Sequence, residues 1–191
     1  MKKIFGKKPK EPKDPKLKKK EETSLVDVDY NRKKLFKQGI NLMADEKLEE
    51  AITVFEQALR IEPTNVETLM KLGYARFHLD DHNEALKVYD KILDIDVTNP
   101  EAWNLKALVH YEQKNQAKAL DAVDKAIESD PTYGMAWYNK ACFLSLLNQV
   151  PDALEALKRS IEIDVKNARR SIRDKDFVNV RIEDGFKRIE E

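Results

Sequence analysis

Alanine recurs at positions 51, 85, 119 and 153, each 34 residues beyond the last. A self-similar period of this length constrains the chain more tightly than its composition does. Each unit has to be one supersecondary piece that buries its apolar face against the next. Four registers follow: 32–65, 66–99, 100–133 and 134–167. Their fourth position is large and apolar (Leu35, Leu69, Trp103, Trp137) and their eighth is tiny (Gly39, Gly73, Ala107, Ala141). The twenty-fourth is bulky: Phe55, Tyr89, Val123, Leu157. The apolar spacing predicts two amphipathic helices per unit, over about the second to fourteenth and about the eighteenth to thirty-first positions. A tiny eighth residue lets the first helix close on the alanine at position 20 of the second. Large residues at 4 and 24 fill the wedge beside that contact. The links between helices are polar, as in Asp80–Asn83 and Lys114–Gln116, and Pro63, Pro100 or Pro131 separates one unit from the next.

Charge is segregated along the chain. Over 191 residues 35 Lys+Arg balance 35 Asp+Glu, yet the first 20 residues hold ten lysines against Glu11 and Asp14, a net of +8. The remainder therefore sums to −8. Within residues 1–23, Pro9, Pro12 and Pro15 stand at every third position among mutually repelling lysines, which predicts a disordered basic arm. The single cysteine excludes a disulfide framework and a cysteine-based zinc site. It suits a reducing compartment, from which a cytoplasmic location is expected. The most apolar run, Ala141–Leu147, is far shorter than the ~18 residues of a membrane helix. The basic N-terminus leads into no apolar stretch of the kind a secretory signal carries.

Two further positions complete the pattern: position 27 is Ala58, Ile92, Ala126 and Ser160, and position 32 is Pro63, Val97, Pro131 and Val165. Together these residues resemble the tetratricopeptide repeat (TPR) family over 32–167. The resemblance implies an all-α fold, a right-handed superhelical solenoid of antiparallel helix pairs with four units in a domain spanning 24–167. The arm precedes it, and residues 168–191 form a C-terminal capping helix and tail. Position 11 (Leu42, Arg76, His110, Leu144), usually bulky in the family, and position 7 (Gln38, Leu72, Lys106, Lys140) depart from its pattern. Their polar members are expected to snorkel at the seams between repeats. In the tail, Ala168, Ile172 and Phe177 are expected to cover the last helix face, with breaks near 174–176 and at Gly185.

Catalytic chemistry finds no support in these residues. His78 and His82 are four apart, but one ends a helix and the other lies in a turn, which favours a solvated turn over a metal pair. His110 has no acid or nucleophile at useful spacing, and Cys142 reads as a buried or groove-lining thiol. A Gly-rich phosphate loop and a Gly-x-Ser-x-Gly elbow are both missing. No catalytic residue, metal, cofactor or small-molecule substrate is expected.

The resemblance implies instead a concave surface lined by the first helices. Phe36, Ile40, Met70, Lys71, Tyr74, Phe77, Asn104, Leu108, Tyr138 and Asn139 fall there as an aromatic and aliphatic stripe carrying amides and a lysine. It is predicted to hold a peptide segment or helix of a partner protein in complex assembly, with Asn104 and Asn139 bonding the guest's backbone. The family's chaperone-binding clamp is not matched: Phe36 and Ile40 replace its Lys and Asn, Lys71 its second Asn, and Glu101 and Leu105 its Lys and Arg. A cradle for a terminal carboxylate is therefore disfavoured. Glu67, Glu101 and Glu112 in the lining argue equally against RNA reading.

Other readings stay open. Residues 24–31 or the C-terminal tail fold back into the groove, or copies of the chain associate through it; oligomeric state is not decided. The arm, through Lys2, Lys3, Lys7, Lys8, Lys18, Lys19 and Lys20, attaches the chain to nucleic acid or an anionic membrane surface, or serves only as a solubilising tail. Position 2 is not glycine, which excludes N-myristoylation.

Overall fold

The computed structural model describes residues 15–178, 180 and 181, with side chains placed from residue 27 onward. Its elements are α1 (Pro15–Ala44), α2 (Leu48–Ile61), α3 (Val66–His78), α4 (His82–Ile95), α5 (Pro100–Glu112), α6 (Gln116–Ser129), α7 (Gly134–Leu146), α8 (Val150–Ile163) and α9 (Lys166–Arg173), followed by a 3-10 turn, Lys175–Phe177. Strands are absent among the described residues. The first helices α3, α5 and α7 and the second helices α2, α4, α6 and α8 each recur at 34 residues, as the period requires. They begin one residue earlier than the apolar spacing predicts. For α3 and α5 the caps account for it: Asn65 and Asn99, at the last position of the preceding unit, accept the amide hydrogens of Thr68 and Ala102 at 2.9 Å each. None of these helices is long and apolar enough to cross a membrane.

The helix pairs are joined through residues of no common type. Glu46, Asp80, Lys114 and Asn148 all sit near φ +60°, one per unit. The next amide in each case reaches back five residues, Lys47 to Leu42, Asp81 to Arg76, Asn115 to His110 and Gln149 to Leu144, all at 2.9 Å. This left-handed cap is a conformation that glycine adopts freely and a Cβ resists. Glu46→Gly is therefore expected to stabilise the chain by about 0.5–1 kcal/mol, part of the steric gain being offset by a more flexible unfolded state. An upward shift of the urea midpoint with unchanged slope is the expected reading.

Inside each pair the tiny eighth residue and the bulky twenty-fourth meet directly. A Cβ on Gly73 would overlap Tyr89 Cε1 and come within 2.9 Å of Cζ, and one on Gly39 would lie 2.7 Å from Phe55 Cδ1. Glycine thus faces an aromatic ring in the first two repeats, and alanine faces Val123 or Leu157 in the last two. All four position-24 side chains are fully buried.

The seams carry a recurring ion pair. Glu56, Asp90 and Asp124 occupy position 25 and point at a base on the next repeat: Arg76 at 2.6 Å, Lys106, and Lys140 at 2.7 Å respectively. Position 25 of the last repeat is Lys158. Arg76 at position 11 and Lys106 and Lys140 at position 7 thus reach across the seam, whereas His110 at position 11 keeps its Nδ1 buried without a hydrogen-bond partner. Trp103 and Trp137 clip the inter-repeat turns, each indole donating to the carbonyl six residues upstream, Val97 at 2.8 Å and Pro131 at 3.0 Å.

The ends differ from the sequence reading in two ways. Residues 15–23, read as part of a disordered arm, lie in α1; proline is tolerated at a first helical position, and residues 16–31 contain neither proline nor glycine to end the helix. Residues 24–31 continue α1 and do not turn back. Lys18, Lys19 and Lys20 fall on this helix, while Lys2, Lys3, Lys7 and Lys8 lie outside the described residues. At the other end, α9 caps α8, but through Asn167 and Ser171, both buried, and not through Ile172, which is exposed. Asn167 Nδ2 donates to Ser160 Oγ at 2.6 Å. The chain breaks at Asp174, within the expected stretch, and Phe177 then turns away from α8 to pack on α7. Gly185 and residues 182–191 lie outside the described residues.

Candidate functional site

First helices touch one another across the seams, α1 with α3 and α5 with α7, and so form an inner row. The residues singled out from the sequence divide along that row into two groups. Phe36 and Ile40 on α1, Lys71 and Phe77 on α3 and Leu108 on α5 are half-buried, and Tyr74 is 43% exposed. The Tyr74 ring lies 4.2 Å from that of His78, while Phe77 lies 5.4 Å from His78 and 5.8 Å from His82. The two histidines thus join an aromatic cluster at the end of α3. His110, at the far side of α5, has its basicity lowered, chiefly by burial.

The second group is closed off. Met70, Asn104, Tyr138 and Asn139 are buried. Asn139 Nδ2 donates to Asn104 Oδ1 at 2.8 Å, so the two amides tie α7 to α5 and do not stand free for a guest backbone as the sequence reading had them. Over repeat 4 the surface is covered by the chain's own tail. The Tyr138 hydroxyl donates to the Asp174 carboxylate at 2.7 Å, and the Ser145 hydroxyl donates to the Asp176 carbonyl at 2.5 Å. The Phe177 ring meets Tyr138 edge-on at 5.6 Å, with Arg170 on that ring at 4.4 Å. Phe177 and Val180 are both 0% exposed. Arg181 closes the turn by donating to the Asp174 and Ser171 carbonyls, the latter at 3.3 Å.

Of the two self-occluding segments raised from the sequence, the tail does cover one end of the inner face. A signal for it was present. Ala141–Leu147 lies at the end of a helix with buried residues on successive turns and all sides, and a helix apolar all round needs cover all round. Tyr138 and Ser145 stand out on that helix as polar groups that need partners.

Electrostatics under the tail are unusual for this chain. Cys142 Sγ and the carboxylates of Asp174 and Asp176 lie within 4.8 Å of one another, the one group of three potential metal donors among the described residues. Burial, then the two aspartates, pushes the Cys142 thiol up, so it stays protonated and is a poor nucleophile. Burial, then Asp174, likewise pushes the Asp176 carboxyl up. Asp174 already accepts from Tyr138 and from the Asp176 amide, the latter at 3.1 Å, and Arg170 stands beside them. These contacts are those of a folded turn held on a wall. Tyr111, stacked on Phe143 at 4.8 Å, feels Asp176 too, its hydroxyl being raised by burial first and by that charge second. The tail therefore ends beside the open group on α5.

Models of the tetratricopeptide repeat match residues 42–109, 100–133 and 122–155. No curated protein matches the sequence significantly. Among solved structures the chain is similar to MamA (41-end) from Desulfovibrio magneticus RS-1, at 20% identity and a TM-score of 0.64, with 84% of this chain and 93% of that one covered. It is similar to TTC0263, a thermophilic TPR protein of Thermus thermophilus, at 18% identity and a TM-score of 0.66, covering 83% and 85%. YrrB, described as a TPR protein with an unusual peptide-binding site, aligns at 18% identity and a TM-score of 0.57, covering 82% and 78%. At these identities the likeness is one of fold.

Proposed function

Because the chain belongs to the tetratricopeptide repeat family, whose members are in general non-enzymatic scaffolds for protein and peptide partners, we propose that it holds a segment or helix of a partner protein during complex assembly. The segment lies on the open part of the inner face: Phe36, Ile40, Lys71, Tyr74, Phe77 and Leu108. The observation that carries this reading is Tyr74, a large ring left 43% exposed in the middle of the row, where Cys142 at the same position of repeat 4 is buried. Half-buried apolar side chains around it supply anchors worth ~1–3 kcal/mol each when a guest covers them. Lys71 offers a charge-assisted bond to a guest carbonyl or carboxylate.

Tyr74→Ala combined with Lys71→Ala tests it. Both side chains stand at the surface of α3, so the fold is expected to survive. Crosslinking mass spectrometry in native extract is expected to place partner links on the inner residues of α1, α3 and α5, and to lose about nine-tenths of them in the variant. Unchanged links would sink the reading. The segregated +8 charge of the first 20 residues supports a second, separable attachment to an anionic surface, nucleic acid or membrane. In the same experiment, removal of residues 1–14 is expected to leave the inner-face links intact.

A further inference from the structure

We propose that the inner face of repeat 4 is a recognition site for partner segments of the form Asp-x-x-Phe-x-x-Val, and that Asp174, Phe177 and Val180 of this chain occupy it in cis as a resident competitor. The proposal rests on the reading of the inner face as a peptide-binding surface, and it supplies the chemistry of the segment.

Each element of the motif has its own receptor. The aspartate receives the Tyr138 hydroxyl at 2.7 Å. The phenylalanine three residues later lies edge-on against the same tyrosine at 5.6 Å and is wholly buried. The valine six residues on is buried in the same cluster as Cys142 and Phe143. Between them, the Ser145 hydroxyl donates to a backbone carbonyl, a contact indifferent to the side chain at that place. Two receptor hydroxyls and an aromatic edge on α7, with an apolar seat in the surrounding core cluster, thus select charge at one point, an aromatic ring at a second and a branched aliphatic side chain at a third.

The resident tail fits this site imperfectly. Asp176 brings a second carboxylate within 4.8 Å of Asp174 and Cys142, where burial and Asp174 push it up. Arg181 Nε is buried without a hydrogen-bond partner. A partner with the same three anchors and a neutral residue at the Asp176 place avoids the first of these costs. Tethering through α9 gives the tail an effective concentration that a free segment has to overcome, so the intact chain is expected to bind such segments weakly until the tail is loosened. Tyr111 and Leu108 lie next along the inner row, which makes the site continuous with the open part of the face.

The test uses full-length protein and a labelled peptide with the sequence of residues 173–182, followed by fluorescence anisotropy. Phe177→Ala in the protein is expected to tighten binding of the peptide by about tenfold or more relative to wild type. Asp174→Asn, which loosens the tail without emptying its apolar seat, is expected to give an intermediate gain, and it decides the question if Phe177→Ala loses its helical circular dichroism. A peptide carrying Asp176→Asn is expected to bind more tightly than the parent, and one carrying Phe177→Ala not at all. Two results overturn the proposal: folded variants that bind no better than wild type, or a Phe-less peptide that binds equally well. A concentration-dependent dimer of the wild type that the peptide dissociates overturns it too, since the tail is then exchanged between copies. Any of these leaves the partner links around Tyr74 untouched, so failure here is distinct from failure of the scaffold reading.

Discussion

Phe177→Ala is expected to cost about 3–5 kcal/mol, because it empties a fully buried aromatic seat that the surrounding helices can only partly close. The loss should be local. A solenoid is held by contacts between neighbouring repeats, so a defect at one end lowers the stability of that end and not of the whole. Tyr138 loses its edge-on partner, and the hydroxyl bond to Asp174 loses the ring that orders the turn around it. Native-state hydrogen exchange is the suited measurement. Amides of α7, α8 and α9 are expected to exchange faster by about 100-fold or more, while those of α3 and α4 keep wild-type protection. Uniform loss of protection, or none, would show that the tail is not an independent stabiliser of repeat 4.

Gly73→Ala is expected to destabilise by about 1–3 kcal/mol, an unusual result for a substitution that favours helix. The new Cβ meets the ring of Tyr89, which is 0% exposed and has no free direction to move. Tyr89→Leu alone leaves a cavity and is also destabilising. It breaks no hydrogen bond, since the Tyr89 hydroxyl is buried without a partner. The double variant copies the pair that repeat 4 uses, Ala141 with Leu157, and is expected to recover part of both losses. Denaturant titration of the four proteins should give a coupling of about 0.5–3 kcal/mol. Strict additivity would mean that position 8 and position 24 do not pack against each other as described.

How much of this was legible in the sequence depends on whether the packing partner lies at a fixed distance along the chain. Gly39 and Phe55, Gly73 and Tyr89, Asp90 and Lys106, and Asp124 and Lys140 are each sixteen residues apart, so the period exposes them, and the limits of α2 to α8 follow to within one residue. Glu46, Asp80, Lys114 and Asn148 share a backbone conformation that four unrelated side chains tolerate, and composition gives no hint of it. Among the groove residues, repeat register led to Tyr74, which is exposed on α3. Asn104 and Tyr138 share position 5 with half-buried Phe36, and Asn139 shares position 6 with half-buried Lys71, yet all three are buried, because what covers or engages them is either the neighbouring repeat's amide or a tail that repeats nothing. Phe177 was recognisable as apolar, but it belongs to a tail outside the repeat pattern, so no period points to its partner Tyr138 on α7.

The acids at position 25 have a consequence for how such a chain can grow. Each of the first three repeats extends a negative charge toward its successor, and each successor answers with a base: Glu56 to Arg76, Asp90 to Lys106, Asp124 to Lys140. Lys158 reverses the sign at the place where a fifth unit would dock. A copy of repeat 3 or 4 appended by gene duplication would bring its position-7 lysine against a like charge, and repulsion at a partly dry seam opposes the stack. Lys158 thus adds a charge mismatch to the cover that α9 already lays over the last repeat, and Lys158→Glu would remove one of these two obstacles to elongation.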